Sequence, residues 1–195
     1  MKTLLLSTTN KGKIREIKEF LKDLPLEIKD LEDVGFEGEI AETGSTFREN
    51  ALQKARAVGD KTGFPVLAED SGIEVDALGG KPGIYSARYA PGSDMDRVLK
   101  LLGEMLDVPI EKRGARYISV FALYDPKTGE CRYFEGEAHG KIIYKPVGTG
   151  GFGYDPVFFS DDLGMTFAQA SMAGKNKVSH RGRALQKLKT YLLSK

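Results

Sequence analysis

The sequence predicts an α/β protein built on a mixed β-sheet. Short apolar strand patterns and amphipathic helix patterns follow one another along the chain. One pair of strand patterns, 115–124 and 131–142, is joined by the turn sequence Asp-Pro-Lys-Thr-Gly, which is typical of a hairpin. Strands that alternate with helices favour parallel pairing, and the hairpin adds an antiparallel pair, so both pairings are expected in one sheet.

The first elements come from the N-terminal quarter of the chain. Residues 4–7 form a short apolar run that predicts a buried strand, followed by a polar turn. The helix after this turn is expected to end at Pro25 and to bury one apolar face, which consists of Ile14, Ile17, Leu21 and Leu24. Residues 25–41 are acidic and irregular, with weak strand signals around Leu26 and Ile28.

A second helix is expected after Thr46. The sequence Thr46-Phe-Arg-Glu49 matches a capping box, and Gly63 lies past the helix end. Residues 65–68 predict a short strand that ends in the turn Glu-Asp-Ser-Gly, and 73–78 alternate as in a half-exposed strand.

The remaining elements complete the mixed order. Residues 79–92 are rich in Gly and Pro and predict a loop, after which Ser93 caps a helix that runs to about residue 106. The run 115–124 is apolar on both faces, which predicts a central strand. A short strand at 157–159 and a last helix from about Ser179 follow.

Composition excludes several classes of protein. The 195 residues carry 29 Lys and Arg against 28 Asp and Glu, whereas a dedicated duplex-binding protein normally has a basic excess. The single cysteine, Cys131, cannot form an intrachain disulfide, which favours the cytosol. The run Leu4–Leu6 is too short for a signal peptide, and a membrane span is not expected. Three Asn and three Gln beside abundant Lys and Glu are typical of proteins from hot environments.

Two segments contain the residue types that bind phosphate and divalent cations. The first turn brings hydroxyls, lysines and a helix N-terminus together in Ser7, Thr8, Thr9, Asn10, Lys11, Gly12 and Lys13. Such a turn binds anions, although an ordinary polar turn explains it equally well, and it lacks the glycine spacing of a Walker A loop. Carboxylates at Glu42, Glu69 and Asp70 suit Mg²⁺, which prefers oxygen ligands, but acidic turns are also common.

Two further segments suit the binding of a flat ring. Residues 148–156 contain four glycines, which let a backbone approach a ligand closely, with Phe152 to stack on a base and Asp155 to accept from a ring N–H. His180 and Arg181, at the start of the last helix, are donors for carbonyl oxygens on a base. A glycine-rich hairpin loop and a solvated helix start are the alternatives.

Taken together, the motifs resemble the inosine/xanthosine triphosphate pyrophosphatases, a family that clears deaminated purine nucleotides. The match covers nearly the full chain and rests on motifs in the same order, at 7–13, 42–51, 68–72, 78–89, 148–156 and 179–182. The resemblance implies a single domain over 1–195, with an elongated mixed sheet flanked by helices and two lobes around a central substrate cleft. It also implies a homodimer.

The resemblance further implies Mg²⁺-dependent cleavage of ITP, dITP or XTP to the monophosphate and pyrophosphate, with Mn²⁺ as a substitute metal. Lys13 and Lys54 would hold the phosphates together with the 7–13 turn. Glu42 and Asp70 would bind the metal, and Asp70 would accept the proton. The nucleotide would contact Ser71, Phe152, Gly153, Tyr154, Asp155, Lys175, His180 and Arg181. The sequence departs from the pattern at Ala41, where many relatives carry a second acid before the Thr-Gly pair.

Three other functions remain open at this stage. A catalytically silent nucleotide sensor would keep these contacts but lack a working base, which the presence of Glu42 and Asp70 disfavours. A single-strand nucleic-acid binder would use Phe152 and Tyr154 as stacking platforms, but the near-zero net charge disfavours it. A Maf-type pyrophosphatase prefers modified pyrimidines, whereas the 180–181 segment favours purines.

Overall fold

The computed structural model describes residues 2–38 and 40–194. Within them, seven strands form one sheet: β1 (Thr3–Ser7), β2 (Glu27–Lys29), β3 (Val66–Val75), β4 (Gly114–Tyr124), β5 (Cys131–Ile142), β6 (Phe158–Ser160) and β7 (Met165–Thr166). The same residues form five α-helices: α1 (Lys11–Leu21), α2 (Phe47–Thr62), α3 (Asp94–Glu104), α4 (Met172–Val178) and α5 (His180–Leu193). In this part of the chain, no helix combines the length and apolarity needed to cross a membrane.

The sheet is mixed, as the sequence predicts. Its strand order is β2-β1-β3-β4-β5-β6-β7. Strand β1 pairs in parallel with both β2 and β3, whereas β6 pairs antiparallel with both β5 and β7. Strand β4 is the middle strand of the order, which confirms the prediction from its apolar residues on both faces.

The chain divides into two compact units. The first unit contains the residues up to Asp70, Ser119–Glu135 and the segment from Ala184 onward. The second unit contains Ser71–Ile118 and Gly136–Arg183. Strands β3, β4 and β5 and helix α5 therefore each contribute residues to both units.

The first unit buries the apolar face of α1 against β1 and the end of α5. Its core contains Leu4, Leu6, Ile14, Ile17, Leu21, Leu24, Leu67, Phe121, Phe134, Ala184, Leu185 and Leu188. The prediction that α1 runs to Pro25 was wrong, because the helix ends at Leu21. Leu24 is nevertheless buried, since its N–H donates to the Leu21 carbonyl in a turn that continues the apolar face.

The second unit has its own core beneath α3. This core contains Ile73, Val75, Val98, Leu101, Met105, Tyr117, Phe158 and Phe167, together with smaller residues. The buried Arg113 guanidinium fixes the chain after α3, because it donates to the carbonyls of Met105 and Val108 at 2.8 and 3.2 Å.

Both predicted helix caps are present. Thr46 Oγ1 accepts from the Glu49 N–H, and the Glu49 carboxylate accepts from the Ser45 N–H and hydroxyl. Ser93 caps α3 in a reciprocal capping box with Asp96. Gly63 ends α2 with φ of 72°, a left-handed conformation that glycine adopts without strain.

The structure differs from the predicted local structure in three places. The sequence Glu69–Gly72 is not a turn between two strands, because β3 runs through it without interruption. The loop 79–92 contains a 3₁₀ helix at Gly83–Arg88. Helix α4 was not predicted, although Ser171 caps it by accepting from the Gly174 N–H.

The backbone is closely packed at the junction of α4 and α5, which allows a prediction about stability. A methyl group added at Gly182 would overlap the Asn176 carbonyl oxygen. This is a backbone atom, so a change of side-chain rotamer cannot relieve the overlap. We expect Gly182→Ala to lower the free energy of unfolding by about 1–3 kcal/mol, the usual cost of overpacking. Urea denaturation measures this change.

Gly103→Ala, near the end of α3, is the matched control. Apart from its chain neighbours and the nearby backbone of its own helix, no described atom lies within 4 Å of its added methyl group. We expect this variant to gain up to about 1 kcal/mol through helix propensity. Equal unfolding free energies for the two variants would contradict the close packing at Gly182.

Candidate functional site

A buried ion-pair cluster forms in the first unit around Asp70 on β3. Lys54, on α2, brings its Nζ to 2.8 Å from Asp70 Oδ1 and 2.9 Å from Glu42 Oε1. Only 7% of Lys54 and 6% of Asp70 are exposed. One ammonium group thus joins a strand carboxylate to a carboxylate from the loop before α2. We call Lys13, Glu42, Asn50, Lys54, Glu69 and Asp70 the Asp70 cluster.

Asn50 lies one helical turn before Lys54 on the same face of α2. Its Nδ2 donates to Asp70 Oδ2 at 3.2 Å, and its Oδ1 accepts from the Gly44 N–H at 2.8 Å. Each oxygen of the Asp70 carboxylate therefore accepts from a different side chain of α2.

Glu69 contributes a second buried carboxylate from β3. Its Oε1 accepts from the hydroxyl of Ser119 on β4 at 2.7 Å, and its Oε2 lies 3.5 Å from Lys13 Nζ. This arrangement draws Lys13 of α1 toward the strand that carries Asp70.

The charges of the cluster shift the pKa of its members. Burial raises the pKa of Asp70, and the nearby Lys54 and Lys13 oppose this shift without cancelling it. Burial also disfavours the charged form of Lys54, but Asp70 and Glu42 outweigh it and raise the Lys54 pKa. The lysine thus stays charged, while Asp70 is a stronger proton acceptor than an ordinary aspartate.

The predicted 7–13 turn connects β1 to α1 and is partly used by the fold. The buried Ser7 hydroxyl donates to the Lys54 carbonyl at 3.1 Å, and Thr8 Oγ1 accepts from the Asn10 N–H. Asn10 caps α1 by accepting from the Lys13 N–H. Lys11 pairs with Glu32 at the surface. Within this turn, the Lys13 side chain reaches the Asp70 cluster.

The Asp70 cluster contains oxygen ligands of the kind that Mg²⁺ prefers. Among the described residues, no three His, Cys, Asp or Glu side chains are grouped to hold a metal by themselves. Mg²⁺ in nucleotide enzymes is usually held by one or two carboxylates together with phosphate oxygens and waters. Glu42 and Asp70, which meet at one cationic group, supply such a pair of oxygen ligands.

A second buried ion pair forms in the second unit. Lys175 Nζ, on α4, lies 2.6 Å from Asp155 Oδ2, and the same oxygen accepts from the Phe152 N–H at 2.9 Å. Gly151, at φ of 71°, brings the backbone so close that a side chain there would overlap the Asp155 carboxylate. The glycine-rich loop is therefore folded around Asp155.

Cationic and aromatic side chains surround this pair. The Phe152 ring lies 4.8 Å from Lys175 Nζ and 5.4 Å from Arg181 Cζ. Arg181 Nη2 lies 3.4 Å from the Ser71 hydroxyl, and the His180 ring stacks on Tyr117 at 4.5 Å. We call Ser71, Phe152, Asp155, Lys175, His180 and Arg181 the Arg181 cluster.

Two predicted residues of the same loop serve the fold of the second unit. The Tyr154 side chain is buried, and its hydroxyl donates to the Ser86 carbonyl at 2.9 Å. The Gly153 N–H donates to Asp94 Oδ2 at 2.7 Å. A buried Tyr154 removes one of the two stacking platforms that a single-strand nucleic-acid binder needs.

Sequence reasoning assigned no role to three residues at these clusters. Asn50 had a signal, because it precedes Lys54 by one turn on a capped helix. Tyr117 and Ser119 carry no signal, because a strand buried on both faces hides which side chains meet a functional group.

Comparisons with known proteins match almost the whole chain. A sequence model of the Ham1 family matches residues 4–191. A dITP/XTP pyrophosphatase of Symbiobacterium thermophilum is 53% identical, over 94% of this chain and 91% of that protein. One from Geobacter sulfurreducens is 51% identical, over 98% and 97%. The structure of a HAM1 protein from Coxiella burnetii has a TM-score of 0.91 at 36% identity, with 100% of both chains covered.

The Lys175–Asp155 pair generates a stability prediction. Removing one partner of a buried pair leaves an uncompensated charge and typically costs about 3–5 kcal/mol of unfolding free energy. We expect Asp155→Asn, which leaves the Lys175 charge in place, to show a loss of this size in urea denaturation.

The double variant Asp155→Asn/Lys175→Met tests the cause of this loss. Methionine keeps much of the lysine packing against Phe152 and Phe167 without a charge. We expect the double variant to be more stable than Asp155→Asn alone. If it is less stable, the loss comes from packing of the loop and not from the stranded charge.

Proposed function

The chain belongs to the Ham1 family, and we propose that it hydrolyses deaminated purine nucleoside triphosphates to the monophosphate and pyrophosphate. The substrates are ITP, dITP and XTP, of which dITP and XTP appear in the names of its relatives. The reaction depends on Mg²⁺, for which Mn²⁺ substitutes. It removes these nucleotides before they enter DNA and RNA. The homodimer and the cytoplasmic location implied by the resemblance remain predictions.

The buried Asp70 cluster is the observation that carries this proposal. A triphosphate brings about four negative charges near neutral pH, so fixed cations are required around it. Lys13 and Lys54 supply two of these cations, and each is held in place by a carboxylate of the protein. The buried Asp70 supplies a proton acceptor next to them.

The charged residues of the Asp70 cluster have different roles in this reaction. Bound Mg²⁺, held by Glu42 and Asp70, would neutralise charge that develops on the leaving pyrophosphate. Asp70 accepts a proton from the water that attacks the α–β anhydride, while the new P–O bond forms and the bridging P–O bond breaks. Lys13 and Lys54 bind the phosphate oxygens and keep the chain of phosphates aligned. The elevated pKa of Asp70 suits this role, since a more basic carboxylate is a better acceptor.

We assign binding of the purine base to the Arg181 cluster. The 6-oxo group of hypoxanthine or xanthine is an acceptor, and His180 and Arg181 offer donors. Adenine presents an amino donor at this position, and each buried donor left unpaired costs about 1–3 kcal/mol. Phe152, which already contacts two cations, supplies the stacking face. Asp155 anchors Lys175, and its predicted role as acceptor for a ring N–H is part of this proposal.

Product analysis tests the reaction. We expect the purified protein to convert ITP, dITP and XTP to monophosphate and pyrophosphate, with ATP a poor substrate. Activity should disappear in excess EDTA and return with Mg²⁺. Asp70→Asn serves as the inactive control, with kcat reduced about a hundredfold or more. Release of orthophosphate and a diphosphate, or full activity in EDTA, would contradict the proposal.

Substitution of Arg181 tests the base assignment. Arg181→Ala removes a charged donor, worth about 1.5–3 kcal/mol, so kcat/KM for ITP should fall about ten- to a hundredfold. ATP should be affected much less, because its amino group accepts no such bond. Steady-state rates on both nucleotides give the ratio.

Arg183→Ala is the matched control on the same helix. Arg183 binds the Glu137 carbonyl and Asp162 on the half-exposed side of α5. This variant should leave the ITP/ATP ratio unchanged. An equal loss on ITP and ATP in Arg181→Ala would show that Arg181 supports phosphate binding or the fold.

A further inference from the structure

We propose that Asn50 is a positioning residue that fixes the Asp70 carboxylate and the 42–44 loop in one arrangement. The inference rests on the proposed function of the Asp70 cluster, because it assigns Asn50 a role in that reaction. Asn50 is fully buried and contacts both elements that carry the acids of the site. Asn50 acts through Asp70 and Glu42 and needs no contact with substrate.

The hydrogen bonds of Asn50 determine the orientation of its amide. The Gly44 N–H can only donate, so the atom that faces it at 2.8 Å must be the carbonyl Oδ1. The amide Nδ2 then points toward Asp70 Oδ2 at 3.2 Å. A flipped amide would set two donors against each other at Gly44, so the loop itself locks the amide toward Asp70.

Gly44 completes this fit because it has no side chain. A Cβ at this position would lie 2.8 Å from Asn50 Oδ1 and 2.7 Å from Glu49 Cβ. The backbone therefore approaches the amide to a distance that other residues would prevent. This close approach places Glu42, two residues earlier, beside Lys54.

Asn50 adds orientation to a site where Lys54 supplies charge. Lys54 holds Asp70 Oδ1 and Asn50 holds Oδ2, so the two donors together define the plane of the carboxylate. A single ammonium contact holds one oxygen only, so it would restrict the rotation of the carboxylate about its Cβ–Cγ bond less tightly. A proton acceptor works only when its lone pair points at the attacking water, so the plane matters for turnover.

Gln53, on the same helix, anchors the same loop without touching Asp70. Its Oε1 accepts from the Thr43 N–H at 3.0 Å, and its Nε2 donates to Thr43 Oγ1 at 3.2 Å. The two amides of α2 therefore share the loop, and only Asn50 extends the contact to the acid. Gln53→Ala is a matched control for loss of a loop anchor alone.

Steady-state kinetics on ITP with Mg²⁺ test the inference with Asn50→Asp, Asn50→Leu and Gln53→Ala. Asn50→Asp keeps an acceptor for the Gly44 N–H, loses the donor to Asp70 and adds a buried carboxylate beside it, so Asn50→Leu is its comparison without added charge. We expect its kcat to fall about ten- to a hundredfold, with KM within about threefold of the unchanged protein. Asn50→Leu lacks both contacts without adding a charge, so kcat should fall similarly and KM should rise. Gln53→Ala should raise KM and keep kcat within about twofold.

Two further measurements separate positioning from folding. Melting temperatures show whether each variant is folded at the assay temperature, and binding of the α,β-methylene analogue of ITP reports affinity without turnover. Asn50→Asp should bind this analogue nearly as well as the unchanged protein. Unchanged kcat in Asn50→Leu and Asn50→Asp, or an equal kcat loss in Gln53→Ala, would overturn the inference. If the unchanged protein itself fails to release pyrophosphate from ITP, the proposed function fails instead.

Discussion

The structure of the first unit depends on one constraint, the burial of the Lys54–Asp70 ion pair. Removing two charges from water costs several kcal/mol per ion, and their attraction offsets this only when further hydrogen bonds complete both groups. The fold supplies them: Glu42 accepts from Lys54, and Asn50 donates to Asp70. These partners come from the loop before α2 and from α2 itself. The Lys54–Asp70 pair therefore links this loop, α2 and β3.

The second unit contains a pair of the same chemical kind in different surroundings. Lys175 and Asp155 are both nearly fully buried, but Lys175 lies over the rings of Phe152 and Phe167, at 4.8 and 5.5 Å. Aromatic faces stabilise a cation through the electrostatics of the ring. The two pairs thus differ in their surroundings: further charged and amide groups surround the first, and aromatic rings lie beside the second.

The sequence predicted the elements whose signals are local. The caps at Thr46 and Ser93 and the central strand β4 depend on residues close in the chain, and all three are confirmed. The segment Glu69–Gly72 was mistaken for a turn because four polar or small residues in a row usually lie at the surface. Here Glu69 and Asp70 are buried by partners far away in the chain, Ser119 and Lys54, which no local pattern reveals. The family resemblance pointed to Glu42, Lys54 and Asp70, but the contact between Asn50 and Asp70 depends on the tertiary fold.

Because β3 runs without interruption from Val66 to Val75, the sheet fixes the backbone position of Asp70. A carboxylate on a strand inherits its position from the sheet, and sites built on regular elements are more precise than sites on loops. Lys54 and Asn50 are likewise on a helix, and Ser119 is on the central strand. Glu42 is the exception, since it lies in an irregular segment. Its position depends on the two amides of α2, Asn50 through Gly44 and Gln53 through Thr43. The position of this loop-borne acid therefore depends on the helix, and Asn50, a neutral residue, links the loop to Asp70.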